Sequence, residues 1–286
     1  MRGAITVVRY ALQESLRRRV FVVVLLLTVA FLGLFWLAAR EAFKDTSGFA
    51  TGAENVVDTK AFTGATMFGL AMFTTLFLGV VLVTFLTPSV VRGDAERGLL
   101  QPLVVRPLGR ATLLLARWAG ASGVAALYVI GVYAAALLIT RQASHGWTPD
   151  HIAGPAFGLA GGVAVVAALS LLGSIFLSTT ANGIAIFMLF GAGLTAGLLG
   201  AIGHALSNHT LEDVARVTSW LLPFEALYQA GLHALISDTT GLTGVILQLG
   251  PFGVAQNASL AIVPWTLGYL ALVLAGAVAA FARRDL

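Results

Sequence analysis

The sequence predicts an all-α membrane protein with six transmembrane helices, and three observations carry that prediction. Of 286 residues, 58% are hydrophobic and only 10% are charged, a balance far beyond what a soluble core requires. The apolar residues gather into runs of about 20 or more, enough for a helix to cross a hydrocarbon layer of about 30 Å. The basic residues collect on alternate connections between those runs, as expected when positive charge is retained on the cytoplasmic side.

The spans are expected at residues 20–39, 63–86, 113–140, 151–177, 183–203 and 261–281, all within one transmembrane domain covering 1–286. With the N-terminus inside, the cytoplasmic segments hold 12 of the 17 Lys and Arg residues and the outer segments hold 5. Both termini are therefore expected in the cytoplasm, with the chain crossing the cytoplasmic membrane several times. The five histidines then fall on or near the outer face.

Residues 1–19 precede the first span. Ile5, Val8, Leu12 and Leu16 recur at helical spacing, with Arg9, Gln13, Glu14 and Arg17 to Arg19 opposite them. This predicts an amphipathic helix lying at the interface with a basic face. The first apolar run is too long for a signal-peptide core and has no small-residue cleavage site after it, so it is expected to remain as a span. Residues 40–61 are mixed in charge and rich in Ser, Thr and Gly, which predicts an exposed connection. Trp147, in the short polar link after the third span, suits a membrane interface.

The fourth span opens with Gly154, Gly158, Gly161 and Gly162, and the fifth carries Gly191, Gly193, Gly197 and Gly200. Gly193 and Gly197 have the spacing that lets helices approach closely in lipid. Sequence leaves open whether their partner is another helix of the same chain or a second subunit. In residues 204–259, Pro223, Glu225, Gln229 and His233 interrupt an otherwise apolar stretch, and polar groups at membrane depth are expensive. Short re-entrant or surface helices on the outer side are expected there, before the last span.

Several chemistries find no support. The chain has no cysteine, so no disulfide or thiolate site exists. It has no G-x-x-x-x-G-K-[ST] loop and no H-E-x-x-H, so neither a P-loop ATP site nor that zinc site is expected. His204 and His209 are five apart and do not share a helix face. Gly173-Ser174 in the fourth span has no histidine at matching depth to form a serine protease. Asn208-His209-Thr210 and Asn257-Ala258-Ser259 match a common glycosylation pattern. No catalytic or metal site is assigned, and no nucleic-acid partner is expected.

The densest polar stretch lies between the second and third spans. Residues 92–110 read R-G-D-A-E-R-G-L-L-Q-P-L-V-V-R-P-L-G-R and hold six charged residues in nineteen positions. Asp94 suits a helix cap and Glu96 a first turn, Pro102 stops the helix, and Pro107 with Gly109 turns the chain back toward the bilayer. The result is a short surface helix in which Leu99, Leu100 and Leu103 offer an apolar contact. Arginines beside a span fix its orientation whatever else they do, but the acidic pair Asp94 and Glu96 is left unexplained by anchoring alone.

This motif, placed just after a second span, resembles the cytoplasmic loop of ABC-2 type permeases, the membrane subunits of ATP-driven exporters. The W-L-L-P-F-E-A-L-Y run, with Pro223 and Glu225, resembles that family's outer segment before the last span. The resemblance implies that Arg92, Gly93, Asp94, Glu96, Arg97, Gly98, Leu99 and Leu100 form a coupling helix docking on the ATP-binding subunit. Arg106, Pro107 and Arg110 would make the return to the third span, while Pro102 departs from the pattern and shortens the helix. It further implies a dimer of permease subunits, expected here as a homodimer, with two ATP-binding subunits that carry ATP and Mg. No cofactor would be bound by this chain.

In that family the fifth span faces the partner subunit, which makes Gly193 and Gly197 candidate dimer contacts. The implied function is export of a hydrophobic, lipid-like or drug-like compound. The layout is also similar to permeases that serve maturation of copper enzymes such as nitrous oxide reductase. A membrane-embedded enzyme and a scaffold that transports nothing are the alternatives outside transport.

The arginine distribution makes a direct prediction. In a Ser89→Cys variant, the single thiol should react with an impermeant maleimide in inside-out vesicles and be protected in intact cells. Labelling from outside would reverse the topology.

Overall fold

The computed structural model describes residues 19–45, 59–87, 110–235 and 261–283. Eight helices make up these stretches: α1 Arg19–Asp45, α2 Thr59–Leu86, α3 Arg110–Ala143, α4 Ala153–Phe176, α5 Thr179–Ala205, α6 His209–Leu221, α7 Pro223–Ala234 and α8 Ile262–Ala282. Among the described residues there is no strand. Six of the helices, α1 to α5 and α8, are long and apolar enough to cross a membrane. This is the architecture of a multi-pass membrane protein. The expected interfacial helix at 1–18 and the loop at 92–109 lie outside the described residues.

Five of the six long helices extend beyond the expected spans by one or more residues at an end, because hydropathy marks only the part that meets lipid while backbone hydrogen bonding continues past it. The clearest case is the connection expected at 40–61. α1 runs on to Asp45, with the Arg40 guanidinium 4.7 Å over the Trp36 ring and Lys44 paired to Glu41, and α2 already begins at Thr59. α5 likewise starts at Thr179 rather than 183, and the Ser178 hydroxyl receives the Ala181 N–H at its entrance. α4 is the exception and spans only 153–176 of the expected 151–177.

α2 and α4 form the centre and are the most buried of the spans. Phe68, Met72, Leu76, Leu82, Leu159 and Leu171 are enclosed there. α1 lies at the edge, with Leu26, Val29 and Leu34 facing outward, as expected of a surface wetted by lipid tails. It is tied to α3 by a hydrogen bond between the Thr28 and Tyr128 hydroxyls at 2.5 Å. A smaller apolar cluster of Leu114, Leu171, Ile175, Val273, Leu274 and Phe281 joins α3, α4 and α8 near the end that carries Arg117 and Arg283.

At the opposite end, Lys60 donates to the His145 carbonyl at 3.2 Å and Trp147 covers Gly64, so α2 is pinned to the α3–α4 link. Trp147 therefore packs inward, its ring 6.4 Å from that of Phe68. Tyr133 donates to the Ile152 carbonyl at 3.0 Å across the same link.

The helices before the last span form a hairpin. Asn208 caps α6, its Oδ1 accepting from the N–H groups of Thr210 and Leu211, which is the structural use of that asparagine. α6 folds back along α5, with Leu211 and Glu212 against Gly203. Leu222 breaks the helix, and Pro223 starts α7 in the first turn, where a missing N–H costs nothing. α7 then returns along α4: Phe224 meets Gly162, Leu227 meets Gly158 and Gly161, and Gly231 meets Pro155. Its last carbonyls, on Ala234 and Leu235, accept from the backbone N–H groups of His151 and Asp150.

The hairpin thus enters and leaves at the same end of the bundle, and its tip reaches roughly 14 Å along α4. Of the readings open from sequence, a pair of purely surface helices is not what the fold contains, since α7 is inserted between spans.

Gly193 and Gly197 line the other side of α7. A side chain at Gly193 would collide with the Phe224 ring, and one at Gly197 with the Glu225 carboxyl and the Gln229 amide. In this chain the face is filled by its own α7. Overpacking a close contact typically costs about 1–3 kcal/mol per site. Gly193→Leu with Gly197→Leu should therefore lower the midpoint of thermal unfolding in detergent, while Gly191→Leu, which faces open space, should leave it in place. Equal midpoints for all three proteins would refute the packing.

Candidate functional site

Polar side chains buried in an apolar bundle are costly unless each finds a partner, so where they concentrate is informative. Two such concentrations stand out, one at an end of the bundle and one on α7.

The first is at the root of the loop 88–109. That loop leaves α2 after Thr87 and enters α3 at Arg110. The residues named for it, Arg92, Gly93, Asp94, Glu96, Arg97, Gly98, Leu99 and Leu100, lie outside the described residues, but its root does not. The Thr87 hydroxyl accepts or donates a 2.5 Å hydrogen bond with the Ser170 hydroxyl of α4. The Asn182 amide of α5 donates to the same hydroxyl at 3.1 Å and to the Ser170 carbonyl at 3.0 Å. Thr87 and Asn182 are each only 1% exposed, and Ser170 is fully buried.

One knot therefore holds the end of α2, the C-terminal half of α4 and the start of α5. Asn182 presses on Gly173, where any side chain would displace it, and its Oδ1 has no partner among the described residues. Sequence reasoning placed Asn182 in a loop between spans. It lies in the first turn of α5, and the available signal was an amide beside a long apolar run. Ser174, considered for protease chemistry, instead donates to the Leu171 carbonyl at 2.7 Å.

The second concentration is on α7. Pro223 and Glu225 open the helix, and Glu225, Gln229 and His233 follow at one-turn intervals, with Tyr228 beside them. Glu225 is 3% exposed, wedged between α7's own next turn and Gly197 of α5. Gln229 Nε2 donates to Glu225 Oε1 at 2.7 Å. Glu225 Oε2, Gln229 Oε1, Tyr228 Oη and His233 Nδ1 are all buried without a hydrogen-bond partner among the described residues.

Burial pushes the Glu225 carboxyl up to about 7, a rise only partly offset by the Gln229 hydrogen bond. Burial, and then the neighbouring Glu225 charge, raises the Tyr228 phenol. From sequence, Glu225, Gln229 and His233 were legible as groups that would be costly at depth. That they form one face was carried by their four-residue spacing, and Tyr228 was missed because a tyrosine in an apolar run is unremarkable.

Among the described residues no three His, Asp or Glu side chains could share an ion. No known family model matches the chain, and no curated protein matches it.

The knot yields a specific expectation. Asn182→Ala removes both donors to Ser170 and the partnerless Oδ1 together, a net loss of about 1–3 kcal/mol if the Ser170 groups are left unpaired. The thermal midpoint should fall, while Asn182→Ser, which keeps a donor, should recover part of the loss. No change in Asn182→Ala would mean that the knot carries no stability.

Proposed function

We propose that this chain is the membrane-spanning permease subunit of an ABC-2 type transporter, exporting a hydrophobic, lipid-like or drug-like compound across the cytoplasmic membrane. The observation that carries the reading is the R-G-D-A-E-R-G-L-L segment at residues 92–100, directly after the second of six apolar spans. The sequence holds no P-loop, so a separate subunit with ATP and Mg must supply the energy. Two such subunits would act on a pair of permease chains. The mechanism is alternating access: ATP binding closes the partner subunits, the surface helix at 92–100 moves with them, and the spans reopen to the other side.

The knot at the root of the loop supports this reading in mechanical terms. A displacement of the loop pulls on Thr87, and through Ser170 and Asn182 the pull reaches α4 and α5 along with α2. α4 and α5 are the two spans that grip α7, so the same displacement is delivered to the hairpin at the opposite end. Apart from Arg117 in α3, the six spans carry no charged side chain between their ends, which suits an apolar cargo better than a strongly charged one. The subunit contact belongs on a face other than Gly193 and Gly197.

The double variant Glu96→Ala with Arg97→Ala tests the reading. Exposed charges shift stability by no more than about 0.5 kcal/mol, whereas a paired charge lost from a docked interface costs about 2 kcal/mol or more. The variant should insert and keep its thermal midpoint, yet lose co-purification with the ATP-binding subunit and ATP-driven transport in proteoliposomes. Full partner binding and transport would reduce the loop to a topological anchor, leaving an enzyme or scaffold as the better reading.

A further inference from the structure

The orphaned polar atoms of α7 have a feature that the transport reading does not use. Glu225 Oε1 is satisfied by the Gln229 amide N–H, but Glu225 Oε2 and Gln229 Oε1 are each buried without a partner among the described residues. Both are acceptors as long as the carboxyl is ionised, so neither can satisfy the other. A single proton on Oε2 changes this. The acid O–H can then donate to the Gln229 carbonyl oxygen one turn away, which would make the single amide bond one half of a two-bond acid–amide pair. One added particle removes a buried charge and two orphaned atoms together.

Among the described residues the surroundings contain nothing else to neutralise a carboxylate. α4 has no titratable residue, and it presents Gly158, Gly161 and Gly162 to α7. α5 presents Gly193 and Gly197, and its only titratable residue, His204, stands about two helical turns beyond Gly197 with its side chain outside the described residues. On α6, Arg216 is exposed and pairs with Asp213 at 3.2 Å, and Glu212 lies 3.5 Å from His209. α8 offers only the half-buried Tyr269, and α2 meets α7 through Met72. On α7 itself the titratable neighbours are Tyr228 and His233.

A larger cation has no room. A single methyl group at Gly197 would already strike Glu225 and Gln229, and no cluster of three acidic or histidine side chains is present among the described residues.

We propose that Glu225 is a proton-binding site that keeps the α6–α7 hairpin seated between α4 and α5. With the proton bound, the neutral acid–amide pair lies in the glycine-lined slot. Release gives a carboxylate and a free proton, the latter leaving along the Gln229 and His233 face toward the end of the bundle at Asp150 and His151. The charged form no longer fits the slot, and the hairpin loosens. The site is independent of the ATPase partner and would stand if the transport reading failed.

The direction of the pH dependence follows from linkage. A carboxyl raised on folding from 4.5 to about 7 contributes stability that is fully present below its unfolded value and is lost as pH rises through its folded value. The purified chain in lipid nanodiscs should therefore have a higher thermal midpoint at pH about 5 than at pH about 9. Glu225→Gln, which holds the neutral shape at every pH, should flatten that dependence and keep the high midpoint.

Infrared difference spectra between the two pH values should show a protonated-carboxyl C=O band in the wild type that is missing from Glu225→Gln. Glu225→Asp keeps the acid but draws it back from Gln229. If the glutamine variant does not accumulate, the aspartate variant should move the band and its titration midpoint. A wild-type midpoint indifferent to pH, a glutamine variant with the wild-type profile, or a band unaltered by either substitution would each overturn the proposal.

Discussion

The close approach of α7 to two neighbouring spans is the constraint on which the half of the bundle around the α6–α7 hairpin depends. α7 can lie between α4 and α5 only because Gly158, Gly161 and Gly162 on one side, and Gly193 and Gly197 on the other, carry no side chains. The Leu227 carbonyl oxygen would stand 3.0 Å from a Cβ at Gly158, a separation that leaves no space for any other residue to be accommodated without movement. In lipid there is no hydrophobic drive to bring helices together, so such contacts rest on van der Waals packing at short range. Removing the side chains from two spans is what makes that range available to a twelve-residue helix that does not itself cross the bilayer.

That insertion has an electrostatic consequence. A hairpin that dips into the bundle and returns must break at its tip, and the break at Leu222–Pro223 brings the first turn of α7 level with the middle of α4. Glu225 sits in that first turn. The positive end of the helix favours a negative charge there, whereas burial disfavours it, and burial is the larger effect for a side chain only 3% exposed. The same geometry that makes the hairpin possible therefore places an acid where its neutral form fits best.

The bundle's two polar centres are mechanically in series. The Thr87, Ser170 and Asn182 knot binds one end of α2, α4 and α5, and the halves of α4 and α5 toward the other end hold α7. Tightly packed helices do not deform continuously but shift between discrete arrangements, and α4 and α5 are the spans that touch both centres. In a membrane bundle with almost no internal charge, α4 and α5 thus join the root of the 88–109 loop to the α6–α7 hairpin.

What the sequence by itself determined is the set of spans. Hydropathy is a local property that accumulates along one run of residues, and 20–39 or 261–281 needs no knowledge of its neighbours to be read as a span. Helix ends were less legible, as the continuation of α1 through Arg40 to Asp45 shows, because backbone hydrogen bonding does not stop where lipid does. Gly193 and Gly197 announced a close contact but not its partner. Glu225, Gln229 and His233 announced a cost, and Asn182 announced little. Which helix fills a glycine face, and which orphaned oxygen lies opposite which amide, depends on how the chain folds back across tens of residues. Only the tertiary structure decided those pairings, because a contact is a property of two segments and the sequence of either one specifies only half of it.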